Sequence, residues 1–388
     1  MRTVVALITL ALAASGRADS WQAALDQILA VGHEGSGNAT AAAAWSTIAR
    51  TATPDDLPAL AAALDRCNPL AANYLRAAMD AIGERAAAQG TPLPRVALAN
   101  LLLDAQAGEP ARWAAFDLLQ RQAPEAASRL VPGFLHDPSP RLRRLAVARL
   151  LEEARSLDQE KDSDGATVLY RQALGAARDV DQIRELAATL EKRGQTVDLP
   201  RQFGFLMHWE VIAPFDNTGR AGFDAVFPPE SEYRADAVYP GKGGDVRWQP
   251  LVTADPYGKV DFNGPYTMLK EVTGYARTVF QADRDQTVQL RLGCKNAWKI
   301  WLNGELIFGR DEYHRGQRID QYILPAKLRQ GSNVILVKCC QNEQTQDWTV
   351  QWEFQLRVCD ASGAAVLAVD RPPTPRPAES RRRPADAK

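Results

Sequence analysis

The sequence predicts a multidomain chain, α then β: an α-solenoid followed by an antiparallel β-sandwich or jelly roll. Three observations predict it. Residues 19 to 195 are rich in Ala, Leu, Arg and Glu, and alanine and leucine are the best helix formers. Beyond Leu199-Pro200 the composition shifts to Trp, Tyr, Phe, Val and Gly in strand-length runs separated by turns. Within that second part, Trp298–Phe308 reads WKIWLNGELIF, two apolar-rich runs around Asn303-Gly304. Both central residues of a type I′ turn need φ > 0, which Asn-Gly tolerates best. Lys299–Leu302 and Glu305–Phe308 are therefore expected to be adjacent antiparallel strands.

A chain of 388 residues with 46% hydrophobic residues is long enough for two domains. Its net charge of −1 gives no whole-chain field that favours nucleic acid or acidic membranes, and nucleic acid is not expected as a partner. Arg2, an apolar run from Val4 to Ala14 and the small residues before Ala18 read as a secretory signal cleaved after Ala18. The run is shorter than the roughly 20 residues that span a bilayer. An uncleaved anchor is the alternative, and no later segment is apolar enough to cross a membrane. The expected address is exported: periplasmic, cell-surface or extracellular. The expected divisions are a signal at 1–18, a helical repeat domain at 19–198, a β domain at 199–362 and a disordered Pro/Arg-rich tail at 363–388.

Pro and Gly clusters cut the helical part into segments of one helix each: Thr53-Pro54, Asn68-Pro69, Gly90-Thr91-Pro92, Gly108-Glu109-Pro110 and Asp137-Pro138-Ser139-Pro140. Asp137 or Ser139 can cap the helix that follows, with Pro140 in its first turn. A repeat is visible after these turns. Arg112, Ala115 and Leu119 match Arg143, Ala146 and Leu150, and a looser copy begins at Asn68-Pro69. Repeats of roughly 30–40 residues suit an α-solenoid. Apolar stripes along Ala166–Ala177 and Ile183–Leu190 predict a helical hairpin closing the stack. Arg141, Arg143, Arg144 and Arg149 are candidates for a partner-facing surface, or a solvated helix face.

In the β part, strands are expected at Phe203–Ala213, Tyr275–Gln281, Thr287–Gly293, Arg318–Leu324, Val334–Cys340 and Asp347–Cys359. Period-2 alternation places Trp298 with Ile300 and Leu302 in the core, and leaves Trp301 more exposed and open to a partner. The same alternation puts Trp348 and Trp352 in the core with Val350 and Phe354. Adjacent Cys339 and Cys340 point to opposite faces. Four of the five cysteines (Cys294, Cys339, Cys340 and Cys359) allow one or two disulfides, or are small buried hydrophobes.

Three resemblances add to these readings. Asp137–Ala146 (DPSPRLRRLA) resembles the start of a HEAT repeat. Trp298–Gly304 followed by Leu328–Val337 (LRQGSNVILV) is similar to the hairpin-and-glycine-turn pattern of galactose-binding-like jelly rolls, including the sugar-binding domain of family 2 glycosidases. Trp209 with Pro214-Phe215-Asp216-Asn217, Phe227-Pro228-Pro229-Glu230 and Gln341-Asn342-Glu343-Gln344-Thr345 resembles an exported planctomycete family pairing helical repeats with such a module. These resemblances imply architecture and export, and no reaction. They also imply a ligand site in loops at one end of the β domain. Such a site combines an aromatic platform with polar side chains for sugar hydroxyls. The candidates are Arg310, Asp311, Tyr313, His314 and Asp320 in one connection, Asn342 and Glu343 in the next, and Trp301 on the hairpin. The alternative is that these residues tie off loop backbone and cover the core edge. A structural calcium ion is a further option, although no dedicated ligand spacing is present.

Catalytic and zinc motifs are absent: no GxSxG elbow, HExxH, P-loop or CxxC occurs. The expected function is non-enzymatic binding or scaffolding, with carbohydrate or protein as partner. The alternatives are an accessory module of a carbohydrate-active enzyme and a purely structural interaction protein.

Overall fold

The structure, a computed structural model, describes residues 21–376. The expected signal at 1–18 and the end of the tail lie outside the described residues. A helical region is followed by antiparallel sheets, and the described residues divide into two compact units, with the boundary between Ala177 and Arg178.

The first unit holds α1 (residues 21–29), α2 (Asn38–Thr51), α3 (Leu57–Ala63), α4 (Pro69–Ala88), α5 (Arg95–Leu103), α6 (Glu109–Gln122), α7 (Pro124–Leu130), α8 (Pro140–Gln159) and α9 (Ser163–Ala176). The Pro and Gly clusters do separate helices, and their polar residues cap them. The Asn68 side chain accepts from Ala71 N at 2.9 Å, and Ser139 Oγ accepts from Leu142 N at 3.4 Å. Asp65 caps α6 from a distance, accepting from Gly108 N at 2.6 Å and Ala111 N at 3.1 Å.

The repeated arginine is an internal brace. Buried Arg112 donates to both carboxylate oxygens of Asp137, at 2.8 and 2.5 Å, and to the Leu102 carbonyl at 2.9 Å. Arg143 is buried as well and donates to the Asp137 carbonyl at 2.7 Å, so it is not on a partner-facing surface. Arg141 is exposed, with its guanidinium 5.2 Å from the Trp113 ring centroid.

The second unit begins earlier than the composition change suggested. Its first helices are α10 (Val180–Lys192) and α11 (Leu199–Phe203). On α10, the Arg184 guanidinium lies 4.5 Å from the Tyr257 ring centroid, which places the helix with the β unit. The strands are β1 (His208–Asp216), β2 (Val238–Gly241), β3 (Gly244–Arg247), β4 (Gln249–Val252), β5 (Lys259–Asp261), β6 (Val272–Ala282), β7 (Gln286–Cys294), β8 (Ala297–Leu302), β9 (Glu305–Arg310), β10 (Tyr322–Leu328), β11 (Gly331–Gln341) and β12 (Glu353–Cys359), with α12 (Asn263–Tyr266) between β5 and β6. The order β4-β1-β6-β11-β8-β9 forms a six-stranded sheet, β10-β7-β12-β5 a four-stranded one, and β2-β3 a ribbon.

Asn303 and Gly304 have φ of 53° and 83°, so the β8–β9 hairpin turns as the Asn-Gly pair predicts. Beside it runs β11, with Val337 opposite Ile300. One core cluster draws on both larger sheets: Val211, Trp298, Ile300 and Val337 from the first, Leu290, Leu292, Phe354 and Leu356 from the second. A second cluster (Ile212, Phe215, Tyr239, Val246, Trp248, Tyr275, Trp301 and Leu336) covers the other face of the six-stranded sheet.

That second cluster corrects the reading of Trp301, which is only 7% exposed. Alternation distinguishes core from solvent only when one face is wet, and here both faces are covered. Trp348 errs the other way. Asp347–Thr349 is a 3-10 turn and β12 starts at Glu353, so strand parity does not reach Trp348, which is 56% exposed. The tail expected to be disordered from residue 363 runs along the β unit as far as Thr374. Val366 N donates to Val358 O at 2.9 Å, Arg371 Nη1 to Phe205 O at 2.8 Å, and Thr374 Oγ1 to Asp198 Oδ2 at 2.8 Å. Val366 and Ala368 pack on the core, which supplies the apolar burial that this stretch lacks alone.

Candidate functional site

Strand register sorts the loops of the β unit to two ends. Val272, Ala297 and Gln341 mark one end. Ala282, Leu302 and Gly331 mark the other. Four of the expected site residues, Tyr313, His314, Asn342 and Glu343, converge at the first end, joined by residues the sequence had not nominated.

Asn217 closes β1 and is nearly fully buried. Its Nδ2 donates to Gln341 O at 2.9 Å and to the Tyr313 hydroxyl at 3.1 Å, while its backbone N donates to Glu271 O at 2.9 Å. The chain then turns tightly over the sheet. At Gly222 a Cβ would lie 2.5 Å from Asp216 O and 2.6 Å from Thr273 Oγ1, so only glycine fits. Arg220, with φ of 66°, is aimed back across the loops. Its Nε and Nη2 donate to Glu343 Oε2 and Oε1 at 3.1 and 2.5 Å, and its guanidinium lies 5.2 Å from the Tyr313 ring centroid. The hydrogen bond from Arg220 holds the Glu343 carboxyl down at about 2. Burial pushes the Tyr313 phenol up.

His314, with φ of 59°, donates from its backbone N to Lys295 O at 2.6 Å. Its Nε2 lies 3.0 Å from Asn342 Oδ1, which also accepts from Gln344 N at 3.3 Å. An acceptor at Nε2 selects the tautomer with the proton there. Burial holds the imidazole below its ordinary range. The charges of Lys295, Lys270 and Arg220 add to this, and the Asn342 bond opposes it. Trp348 stands edge-on to this ring, with centroids 5.2 Å apart at 81°. Lys295 Nζ anchors the turn, donating to Trp348 O at 2.5 Å and Gln351 Oε1 at 2.6 Å.

A cation is already built into this end. Lys242 Nζ lies 3.0 Å from Asp216 Oδ1 and from Thr218 Oγ1, and 2.7 Å from Glu271 O. These oxygens are of the type a calcium ion would use, and the lysine ammonium occupies them. Among the described residues no group of three or more His, Cys, Asp or Glu side chains converges on one point.

The other nominated residues stand apart from this network. Asp320 lies over the four-stranded sheet, 2.7 Å from Arg291 Nη1 and 2.6 Å from Arg357 Nε. The bonds and charges of both arginines outweigh burial and hold its carboxyl below the usual range. Arg310 pairs with Glu312 at 2.7 Å, and Asp311 is exposed beside them. Trp301 floors a cleft of about 410 Å³ with Tyr233 and Arg277, on the covered face of the six-stranded sheet. At the opposite end of the unit, a larger cleft of about 800 Å³ opens between the edge strands β9 and β10, lined by Asn303, Glu305, Ile307, Lys327 and Arg329.

Asn217 and Arg220 are the residues of this end that sequence reading missed, and Trp348 is the one it placed in the core. Asn217 lay in the turn expected to close the Phe203–Ala213 strand, and its partners are 96 and 124 residues away.

No protein-family model matches the chain, and no curated protein matches it. Among solved structures, it is similar to a glycoside hydrolase family 31 α-xylosidase from Xanthomonas citri. The identity is 8%, over 40% of this chain and 16% of that enzyme, with a TM-score of 0.20. A likeness that low carries no argument about fold or chemistry.

Proposed function

We propose that this is an exported, non-enzymatic binding or scaffold protein, of the planctomycete type that pairs HEAT-like repeats with a galactose-binding-like module. In this reading the helical unit is a HEAT-like α-solenoid that engages protein. The β unit is a jelly-roll sandwich that engages carbohydrate or stabilises an assembly. The Asn-Gly hairpin lying beside the glycine-led β11 supports the jelly-roll part, as does the core drawn from both sheets.

One observation carries the binding function: Trp348. Its indole is 56% exposed and stands edge-on to the His314 ring, while Lys295 holds its backbone carbonyl. Around it Glu343, Tyr313 and Asn342 are committed to neighbouring loops. An anchored, solvent-facing aromatic ring loses little entropy on binding and presents a flat apolar face to a pyranose ring or to a partner's side chain. A glycan array followed by calorimetry on the full chain tests the carbohydrate reading. Binding that Trp348→Ala abolishes supports it. No binding to any glycan by the folded chain overturns it.

The second reading is assembly contact alone. It is favoured by the mutual satisfaction of the loop charges, which leaves few groups to read sugar hydroxyls. It predicts a stable complex in a native pull-down, lost in Trp348→Ala, with no small-ligand binding.

A further inference from the structure

We propose that Cys294 and Cys339 form a disulfide that joins the two sheets across their common core. Cys294 ends β7 in the four-stranded sheet, and Cys339 lies in β11 of the six-stranded sheet. Their sulfurs are 3.8 Å apart, and both residues belong to the shared core cluster. A rotation about each Cα–Cβ bond is the kind of adjustment that brings two such sulfurs to bonding distance.

The other three cysteines have no such neighbour. Cys340 points to the opposite face of β11, where its sulfur accepts from Thr273 Oγ1 at 3.4 Å. Cys359 pairs in register with Gln289, at the far end of β7 from Cys294. Cys67 lies in the other compact unit, where it donates to Ala63 O at 3.4 Å. All five are thiols in this structure, and the proposed bond would leave Cys67, Cys340 and Cys359 reduced.

The step balances as thiol–disulfide exchange. One cysteine thiolate attacks an incoming disulfide, such as oxidised glutathione, and forms a mixed disulfide while releasing one thiol. The second cysteine displaces the remaining half. Two thiols of the chain are oxidised to one S–S bond, and the incoming disulfide is reduced to two thiols, which keep the protons. Both cysteines are buried in the finished fold, so the bond forms as the sheets come together, before the core closes. Formation in the cell rests on the export reading above, because cytosolic thiols stay reduced. The pairing itself does not, and it is tested in vitro.

The full chain is denatured, reduced, and refolded in a buffer of oxidised and reduced glutathione. It is then alkylated under denaturing conditions and mapped by peptide mass spectrometry without reductant. The expected result is one linked pair, Cys294 with Cys339, two hydrogen masses lighter than the free peptides, with Cys67, Cys340 and Cys359 alkylated. Alkylation of all five cysteines, or any other pairing, overturns the proposal. In urea, reduction should lower the unfolding midpoint of the wild type and of Cys340→Ser, and leave that of Cys294→Ser unchanged. A midpoint insensitive to reduction in the wild type overturns it too, even if Cys294→Ser fails to fold.

Discussion

Lys338 and Arg357 occupy matching places on the two sheets, and the chain neutralises them in different ways. Each points away from the shared core, and each side chain is almost completely buried, at 0% and 1% exposure. Lys338 is a point charge met by a small cage. Its Nζ lies 2.7 Å from Ala225 O, 3.1 Å from Phe223 O and 2.9 Å from Glu230 Oε1. Arg357 is a planar fork held mainly by one carboxylate, Asp320, with the Phe203 carbonyl at 3.2 Å. The difference teaches how each sheet is closed. Two backbone carbonyls share the lysine with one acid, Glu230, which also accepts from the Tyr275 hydroxyl. The arginine depends on Asp320, a residue that sequence reading had named as a ligand-site candidate.

This comparison can be broken by mutation. Asp320→Ala should cost most, about 3–5 kcal/mol in urea unfolding, because it leaves Arg357 buried without its acid. Trp301→Ala, which opens a cavity on the face that Lys338 helps close, should cost a similar amount, about 3–5 kcal/mol. Glu230→Ala should cost somewhat less, about 3 kcal/mol, the low end of the same range, since it removes the acid from a buried ammonium that two carbonyls still meet. A larger loss for Glu230→Ala than for Asp320→Ala would overturn the distinction. Acid titration sharpens it further. The folded-state pKa of Asp320 is below its ordinary 3.8, so its contribution is fully present above that value and is lost as pH falls through the depressed pKa. The acid limb of the stability–pH curve should therefore be shallower in Asp320→Asn.

The loop end should respond weakly. Glu343 and Arg220 are nearly half exposed, so Glu343→Gln should cost at most about 1 kcal/mol. An NMR titration of the Glu343 carboxyl should show a midpoint of about 2. A midpoint near the ordinary 4.5 would mean that the Arg220 fork does not form in solution. Trp348→Ala should change stability by no more than about 0.5 kcal/mol while removing whatever binding the ring provides. A larger destabilisation would make Trp348 a structural residue after all.

Local chemistry was legible wherever a few neighbouring residues decide the outcome. Asn303-Gly304 specified its hairpin because only such residues take two consecutive positive φ angles cheaply. Asn68, Ser139 and the prolines after them marked helix starts because capping reaches three residues along the chain. Tyr313, His314, Asn342 and Glu343 were brought together because they occupy loops that leave the sheets at the same end. Their partners were not legible. Asn217 and Arg220 approach from a connection about which the local pattern said little, and Asp320 left the group for two arginines on other strands.

By itself the sequence determined the order of helical and β parts, the hairpin, the helix caps and the split of Cys339 from Cys340 across β11. These follow from backbone propensity and short-range periodicity. Only the tertiary structure decided which sheet faces stay dry. The layer formed by Tyr239, Val246 and Trp248 buried Trp301, a turn before β12 exposed Trp348, and crossing loops supplied the acids that meet Lys338 and Arg357. The physical reason is that alternation along a strand reports two faces, while burial of each face depends on what a distant segment lays over it.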